Sequence, residues 1–544
     1  MGNTNGKQKG RSLSVSFLVT LVFALVYYYF ELPSFNLHDP AFYTFILLIA
    51  VLFCFLSILT QGLFRADSGR ELWDSIKLNC TVSFSVCVAL ALIFIVGNIV
   101  SSPMLRARSY RDLLKVEEGD FASDIPEISF DQIPMLDADS ARRLGDKKMG
   151  ELASAVSQFE VADDYTQINY QSRPVRVTPL VYGDFFKWGA NVRKGLPAYI
   201  VIDMVTQKAD AVRLDEGMRY SQSEYFFRNV NRHLRFQYPT YIFDTPNFEI
   251  DDNGTPYWVC PRIIKRIGLF GGTDIEGAVL MNAITGKCEY YHEIPSWVDR
   301  VFSAELIMQQ YDWHGQYING WLNSFIGQKG VTVTTEGYNY IAMDDDVYMY
   351  TGVTSVASDG SNVGFLLSNQ RTRETRYYAC AGAQEIAAMA SAEGIVQYMG
   401  YKSTFPLLLN ISNQPTYFMA LKDSGGLVKM YAMVNVQQYQ LVASGTTVSE
   451  CEKNYVNLLA GSNLAGESKT ESKAVKGPIE DIRSAVVDGN TNIYLKLAGG
   501  DCWYILSVRE NELAAVLSAG DRVEILPSAD TGELRSAYSV RRLE

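Results

Sequence analysis

Three uncharged, mainly apolar stretches open the chain: Ser12–Phe30, Ala41–Phe64 and Leu78–Leu105, the last with its apolar centre at Thr81–Val100. Each is long enough to cross about 30 Å of hydrocarbon as a helix. The pattern predicts three transmembrane helices rather than a cleaved leader, because two further spans follow the first and no small-x-small cleavage site ends it before Glu31. None of the three carries an interior charge, which disfavours a channel or transporter. Thr20, Ser57, Thr60, Ser83 and Ser85 are then expected to serve helix contacts. Lys7, Lys9 and Arg11 precede the first span, and Arg65, Arg70 and Lys77 separate the second from the third. Glu31–Pro40 has no basic residue, whereas Arg106, Arg108, Arg111 and Lys115 follow the third span. Six basic residues against four place the N-terminus in the cytoplasm and everything after about Leu105 outside it. The start Met-Gly-Asn-Thr-Asn-Gly lacks the hydroxyl residue of a myristoylation signal.

From Ser101 to about Leu459 the pattern changes. Aromatic and β-branched runs alternate with Asn, Asp and Gly turns, broken by helical stretches, which predicts α+β modules. Gly277–Tyr291 aligns without a gap with Gly364–Tyr378, 87 residues on, matching Gly277/Gly364, Leu280/Leu367, Asn282/Asn369, Thr285/Thr372 and Tyr290-Tyr291/Tyr377-Tyr378. Each copy reads as strand, Asn/Thr turn, strand, with a helix-like run after it: Trp297–Gln310 and Ala381–Gln397. Gly195-Leu-Pro-Ala-Tyr, Gly254-Thr-Pro-Tyr-Trp and Gln414-Pro-Thr-Tyr-Phe share a proline followed by an aromatic-bearing apolar run, the expected form of a strand entry.

The sequence Asp252-Asn-Gly-Thr-Pro-Tyr-Trp-Val leading on to Asn282-Ala-Ile-Thr-Gly-Lys resembles the PepSY-type, cystatin-like modules of bacterial envelope proteins, over roughly Thr178–Leu459. Arg373 departs from that pattern by standing where the first copy has the turn glycine Gly286. The resemblance implies modules that bind, inhibit or regulate envelope partners, and it transfers no catalytic residue.

Residues 460–477 are small and polar, a linker composition. Beyond them, strand-like Ile482–Val487, a turn at Asp488-Gly489-Asn490, strands Asn492–Leu497 and Trp503–Val508, a short helix Glu510–Leu517, and strands Arg522–Leu526 and Tyr538–Arg542 look like an OB-fold barrel. Trp503 and Tyr504 are expected in its core or rim.

Composition narrows the chemistry. The 544 residues carry 48 Lys+Arg against 60 Asp+Glu, a net charge of −12, which excludes nucleic-acid binding by bulk electrostatics. Mean hydropathy of −0.02 with 48% hydrophobic residues excludes a mostly disordered chain. Of eight cysteines, Cys54, Cys80 and Cys87 fall in or beside the spans, leaving the odd set Cys260, Cys288, Cys380, Cys451 and Cys502 without zinc spacing. These read as buried thiols, with a Cys260–Cys288 bridge as the one open alternative. His38, His233, His292 and His314 form no metal motif. Asp251-Asp252 and Asp344–Asp346 complete no calcium loop, and read as a hairpin turn and a solvated strand entry. Gly268–Asp274 lacks the lysine of a phosphate loop, and no GxSxG or Walker motif occurs. Trp297, Trp313, Trp321, Tyr311 and Tyr317 suit a helix packed on a sheet.

These readings give an α+β chain: a three-helix transmembrane anchor (1–105), a stalk or start of the first repeat (106–177), PepSY-like repeat regions (178–330 and 331–459), a linker (460–477) and a five-stranded OB-like barrel (478–544). The expected function is non-catalytic: a scaffold or regulator in the lipid bilayer whose extracytoplasmic repeats bind an envelope protein or polymer through exposed strand edges or repeat faces. No catalytic residue, metal ligand, cofactor or nucleic-acid partner is expected. The alternatives are an envelope hydrolase or transferase with dispersed catalytic residues, and a transporter accessory or sensor subunit.

Overall fold

The computed structural model describes every residue except 1, 66–68, 128–132, 135, 152–156, 344, 357–360, 463–473, 488–489, 501, 509–511, 528–533 and 544. Most of the expected linker, Asp344 and the Asp488-Gly489 turn therefore lie outside the described residues. The fold is α+β, and contacts divide it into two compact units: residues 1–119 with 131–384, and 120–130 with 385–544.

In the first unit, helices Gly2–Glu31, Pro40–Arg65 and Gly69–Ser101 each contain a window long and apolar enough to cross a membrane. Thr60 and Ser16 share a hydrogen bond of 3.0 Å between the first two helices, while Ser85 is exposed. The end of the bundle at Glu31 and Ser101 is tied to the sheets. Arg235 Nε donates to Leu32 O (2.8 Å) and Arg232 Nε to Tyr29 O (3.0 Å), satisfying carbonyls that a helix C-terminus leaves open. Ser101 Oγ accepts from the N–H groups of Leu269 and Phe270 at 2.9 and 3.0 Å.

Four sheets share one order of five antiparallel strands, and the third adds a sixth, parallel strand. Sheet one contains Phe159–Val161, Thr166–Tyr170, Arg173–Tyr182, Leu196–Asp203 and Ala209–Met218. Sheet two contains Ile242–Phe243, Asn247–Ile250, Pro256–Ile267, Gly271–Asn282 and Cys288–Tyr291. Sheet three contains Thr332–Thr334, Asn339–Met343, Asp346–Ser355, Ser361–Asn369 and Thr375–Ala383, plus Val116–Gly119 parallel to its last strand. Sheet four, in the second unit, contains Lys402–Ser403, Leu407–Ile411, Gln414–Lys422, Val428–Asn435 and Val442–Gly445. In each, the first two strands pair with different parts of the third, then third with fourth and fourth with fifth. A helix precedes every sheet: Ala138–Glu151, Val230–Gln237, Ala304–Gln316 and Glu385–Ile395.

One side chain builds the hairpin between the fourth and fifth strands. Asn282 Oδ1 accepts from Ile284 N and Thr285 N, and Asn369 Oδ1 accepts from Arg371 N and Thr372 N, at 2.8–3.0 Å. Sheet one does the same with Asp203, and sheet four with Asn435. This side-chain turn mimics a backbone turn, and the residue after it is left-handed: Gln207 (φ 57°), Gly286 (74°) and Arg373 (63°) in the first three sheets. The two aligned stretches also share register, with Ala278 opposite Tyr291 and Phe365 opposite Tyr378.

Both copies carry a bulge whose glycine is sterically required. A Cβ on Gly277 would lie 2.3 Å from Tyr291 O, and one on Gly364 2.3 Å from Tyr378 O. Gly364→Ala is therefore expected to lower the thermal midpoint. Gly150→Ala, on an open helix face, raises stability by about 0.5–1 kcal/mol. Thermal unfolding of the two variants in detergent checks the contrast.

Two sequence expectations change here, the repeat regions and the helix starts. Each stretch expected to be one repeat region holds strands of two sheets: 178–330 the later strands of sheet one and all of sheet two, and 331–459 the five antiparallel strands of sheet three and all of sheet four; residues 106–177, read as a stalk or the start of the first repeat, supply strands to sheets one and three. All three proline signatures open strands as expected, Gly254 and Gln414 the third strands of sheets two and four and Gly195 the fourth strand of sheet one. The helix runs are Ala304–Gln316 and Glu385–Ile395, starting later than expected because Ser303 and the end of the Thr375–Ala383 strand precede them.

Period-two alternation makes sheet two the middle layer of the first unit. Trp258, Cys260, Val279 and Met281 join the core shared with sheet one, while Val259, Ala278 and Leu280 join that of helix Ala304–Gln316 and sheet three. Cys260 and Cys288 are free thiols. Burial raises both, Cys288 to about 12, so neither is a reactive thiolate.

In the second unit, Asn410 Nδ2 donates to Ile125 O (2.7 Å), which brings residues 120–130 to sheet four. Strands Val475–Val487, Asn490–Leu497, Trp503–Ser507, Arg522–Pro527 and Leu534–Arg542 close a barrel. The third and fifth of these strands are parallel and a 3-10 turn, Glu512–Val516, lies between the third and fourth. Tyr504 is in the barrel core and Trp503 lies 4.8 Å from the Arg483 guanidinium.

Candidate functional site

The residues that sequence reasoning weighed for chemistry take structural roles. Each histidine ring bonds a backbone carbonyl: His38 that of Leu269, His233 that of Gly286, His292 that of Glu276 and His314 that of Arg111, all at 2.8–2.9 Å. Asp251 Oδ1 accepts from Asn253 N and Thr255 N, closing a turn with Gly254 at φ 79°. Asp346 corrects the expectation of a solvated strand entry: it is buried, gripped by Arg371 through Nε (2.7 Å) and Nη2 (2.6 Å), and bonded by Asn369 Nδ2 (2.8 Å). Among the described residues no cluster of His, Cys, Asp or Glu is arranged to hold a metal. Gly268 makes a close approach to Ser101 rather than a phosphate loop. The aromatic group divides: Tyr311 is core, Trp313 packs edge-on against Tyr110 at 4.8 Å, Trp297 stacks obliquely on Tyr257, and Trp321 meets Phe325.

Two features escaped the sequence. The first is a sealed carboxyl pair between the sheets. Glu249 sits in the second strand of sheet two, facing the Pro295–Ser303 connection, and accepts from Asp299 N (2.9 Å) and Arg300 N (3.0 Å). Asp299 Oδ2 accepts from Asn169 N (2.7 Å), while its Oδ1 has no hydrogen-bond partner. Glu249 is 0% and Asp299 1% exposed. Burial raises Glu249 to about 7 against the pull of its two N–H donors, and burial together with the neighbouring Glu249 charge raises Asp299 to about 9. The proton of the pair therefore favours Asp299 over Glu249, whose charge two N–H groups stabilise. Asp244, Glu305 and Arg300 line a cavity of about 450 Å³ above the pair, but neither of the two sealed carboxyls lines it. The pair is thus an interior device, out of a substrate's reach.

The second is an open groove of about 610 Å³ beside the last strand of sheet one. Ala209–Met218 pairs only with Leu196–Asp203 among the described residues, so its other side carries no ladder, while the groove lies over the sheet face on which Tyr199 and Val201 stand opposite Val212 and Asp210. Its residues alternate between half-buried and exposed up to Val212, with Asp210, Arg213, Asp215 and Glu216 exposed. Tyr170, Tyr199, Val201, Ile250 and Ile284 give the groove apolar surface, and the Asp251–Thr255 turn forms one wall. Tyr199 Oη donates to Gly254 O (2.8 Å), fixing that wall to the sheet. Asp210, Asp215 and Glu216 against Arg213 leave the lining net negative. A free edge, apolar surface and acidic rim together suit an extended chain carrying basic side chains. Nothing local in the sequence of Ala209–Met218 marks it as an edge strand.

No known family model matches the chain, and no curated protein matches it in sequence.

Proposed function

We propose that this chain is a non-catalytic scaffold or regulator, held in a bilayer by its three apolar helices, that captures extended basic segments of envelope proteins on the free edge of its first sheet. The single observation that carries this reading is the unladdered Ala209–Met218 strand running beside an acidic, apolar-surfaced groove. Main-chain hydrogen bonds to the edge supply affinity, and alternate side chains of the ligand meet the apolar surface and the acidic rim. Tethering the sheets at the membrane raises the effective concentration for partners in the same bilayer.

The positive-residue count supports an N-terminus in the cytoplasm and sheets outside it. Four sheets of one strand order, with the same side-chain turn, support kinship with PepSY-type, cystatin-like modules. The barrel's order of first, second, third, fifth and fourth strand supports the OB reading.

The test is binding of fluorescent peptides that alternate Lys or Arg with Val or Tyr, set against Glu-substituted versions, to the full chain in nanodiscs. Affinity for the basic peptides in the micromolar range is expected, with at least about tenfold loss when Asp210, Asp215 and Glu216 are all replaced by Lys, the scale of one lost desolvated charge contact. Equal binding of basic and acidic peptides, or an unaffected variant, contradicts the reading.

A further inference from the structure

Aromatic side chains crowd the surface of the first unit next to the end of the first apolar helix. Phe227 meets Tyr29 edge-on at 5.8 Å, and Phe236 meets Tyr28 at 5.7 Å. The rings continue outward: Phe227 contacts Phe236, Phe226 contacts Trp188, and Trp188 contacts Phe185, next in sequence to Phe186. Phe186 is 84%, Phe227 61% and Phe226 54% exposed, a contiguous apolar patch of the kind that marks an interaction or membrane surface. The backbone is shaped to present them. Phe226 is left-handed (φ 55°), a conformation unfavourable for a bulky residue, and Trp188 is pinned from beneath by its Nε1 bond to buried Glu224 (2.7 Å), which also accepts from Tyr182 Oη (2.7 Å).

We propose that this aromatic wedge seats in the headgroup layer of the bilayer that the three helices cross, fixing the height and tilt of the sheets above the membrane. Continuity decides the occupant. The ring series begins on Tyr28 and Tyr29, three and two residues before the helix ends at Glu31, the level at which aromatic residues favour the membrane–water boundary. Arg232 locks the junction, its Nε on Tyr29 O (3.0 Å) and its guanidinium 4.3 Å over the Tyr29 ring, so the wedge cannot swing away from the bundle independently. Exposed Arg193 and Lys194 follow the Phe185–Asn191 helix, and Arg228 reaches back to Val192 O (2.5 Å), placing cations beside the rings where anionic headgroups would lie.

This inference rests on the reading that the three helices are membrane spans, and the experiment separates the two. Photoreactive benzoylphenylalanine is placed at position 186, or at position 95 within the third apolar helix, in the full chain in nanodiscs of phosphatidylcholine with or without phosphatidylglycerol. After irradiation, adducts are identified by mass spectrometry. Lipid adducts are expected at both positions. Replacing Arg193 and Lys194 by Glu is expected to lower the yield at 186 several-fold in the anionic discs, while leaving position 95 unchanged. Lipid adducts at 95 without any at 186, or adducts at 186 joining two copies of the chain, overturn the wedge; absence of lipid adducts at 95 overturns the membrane spans and the wedge with them.

Discussion

Asp299→Asn is expected to stabilise the protein relative to the native chain by several kcal/mol more at pH 9 than at pH 5. An unfolded aspartate titrates near pH ~4, whereas burial and Glu249 hold the folded group's proton to about 9. Between those values the folded state binds more protons than the unfolded one. The contribution is therefore fully present below about pH 4 and is lost as pH rises through about 9. Asparagine keeps an oxygen for Asn169 N–H and places an amide where Oδ1 has no partner, so it removes the pH-dependent penalty without opening a cavity. Glu249→Gln is different. Both Glu249 oxygens accept backbone N–H groups, and an amide nitrogen would face one of those donors, so this variant is expected to lose stability at both pH values. Scanning fluorimetry in detergent from pH 5 to 9 distinguishes the outcomes; a parallel, pH-independent shift for Asp299→Asn contradicts the assignment of the proton.

The second large effect is expected at Arg373. Its left-handed backbone (φ 63°) would relax by roughly 1 kcal/mol on substitution by glycine. Against that, its guanidinium pairs with Asp274, which is 2% exposed, bonds Gln310 Oε1 (3.2 Å) and covers the Phe302 ring at 5.3 Å. Breaking a buried pair costs about 3–5 kcal/mol, reduced here because Arg266 still holds Asp274 at 2.9 Å. Arg373→Gly is thus expected to be destabilising by about 2 kcal/mol despite improving the turn. In an Asp274→Asn background the cost shrinks, a coupling of about 1 kcal/mol or more that a double-mutant cycle reads. A stabilised Arg373→Gly would show that the ion pair contributes little.

The same position shows what the sequence could and could not reveal. Asn282 and Asn369 were readable because the turn they build needs that side chain and a following threonine, and their strands kept register over 87 residues. The first and fourth hairpins stayed hidden because Asp203 replaces asparagine with Gln207 in the left-handed position, and because the Asn435 loop closes one residue later, on Leu441 O, without the threonine. Arg373 looked like a defect, since its reason lies 99 residues away at Asp274. Gly286 cannot make the same exchange, because a Cβ there would meet the Tyr220 ring at 2.2 Å. Glu249 and Asp299 were invisible for the same cause: partners 50 residues apart leave no spacing to find, and one glutamate between Phe248 and Ile250 reads only as strand. The apolar helices were legible because their signal is local and long.

An extended basic ligand on the first sheet's free edge would add a ladder of main-chain hydrogen bonds there. Hydrogen exchange of the full chain in nanodiscs, with and without a saturating basic peptide, tests it at the backbone itself. Slowed exchange confined to amides within residues 209–216 and the neighbouring 251–255 turn is the predicted result. Protection elsewhere with none in 209–216, at a peptide concentration that saturates binding, would contradict it.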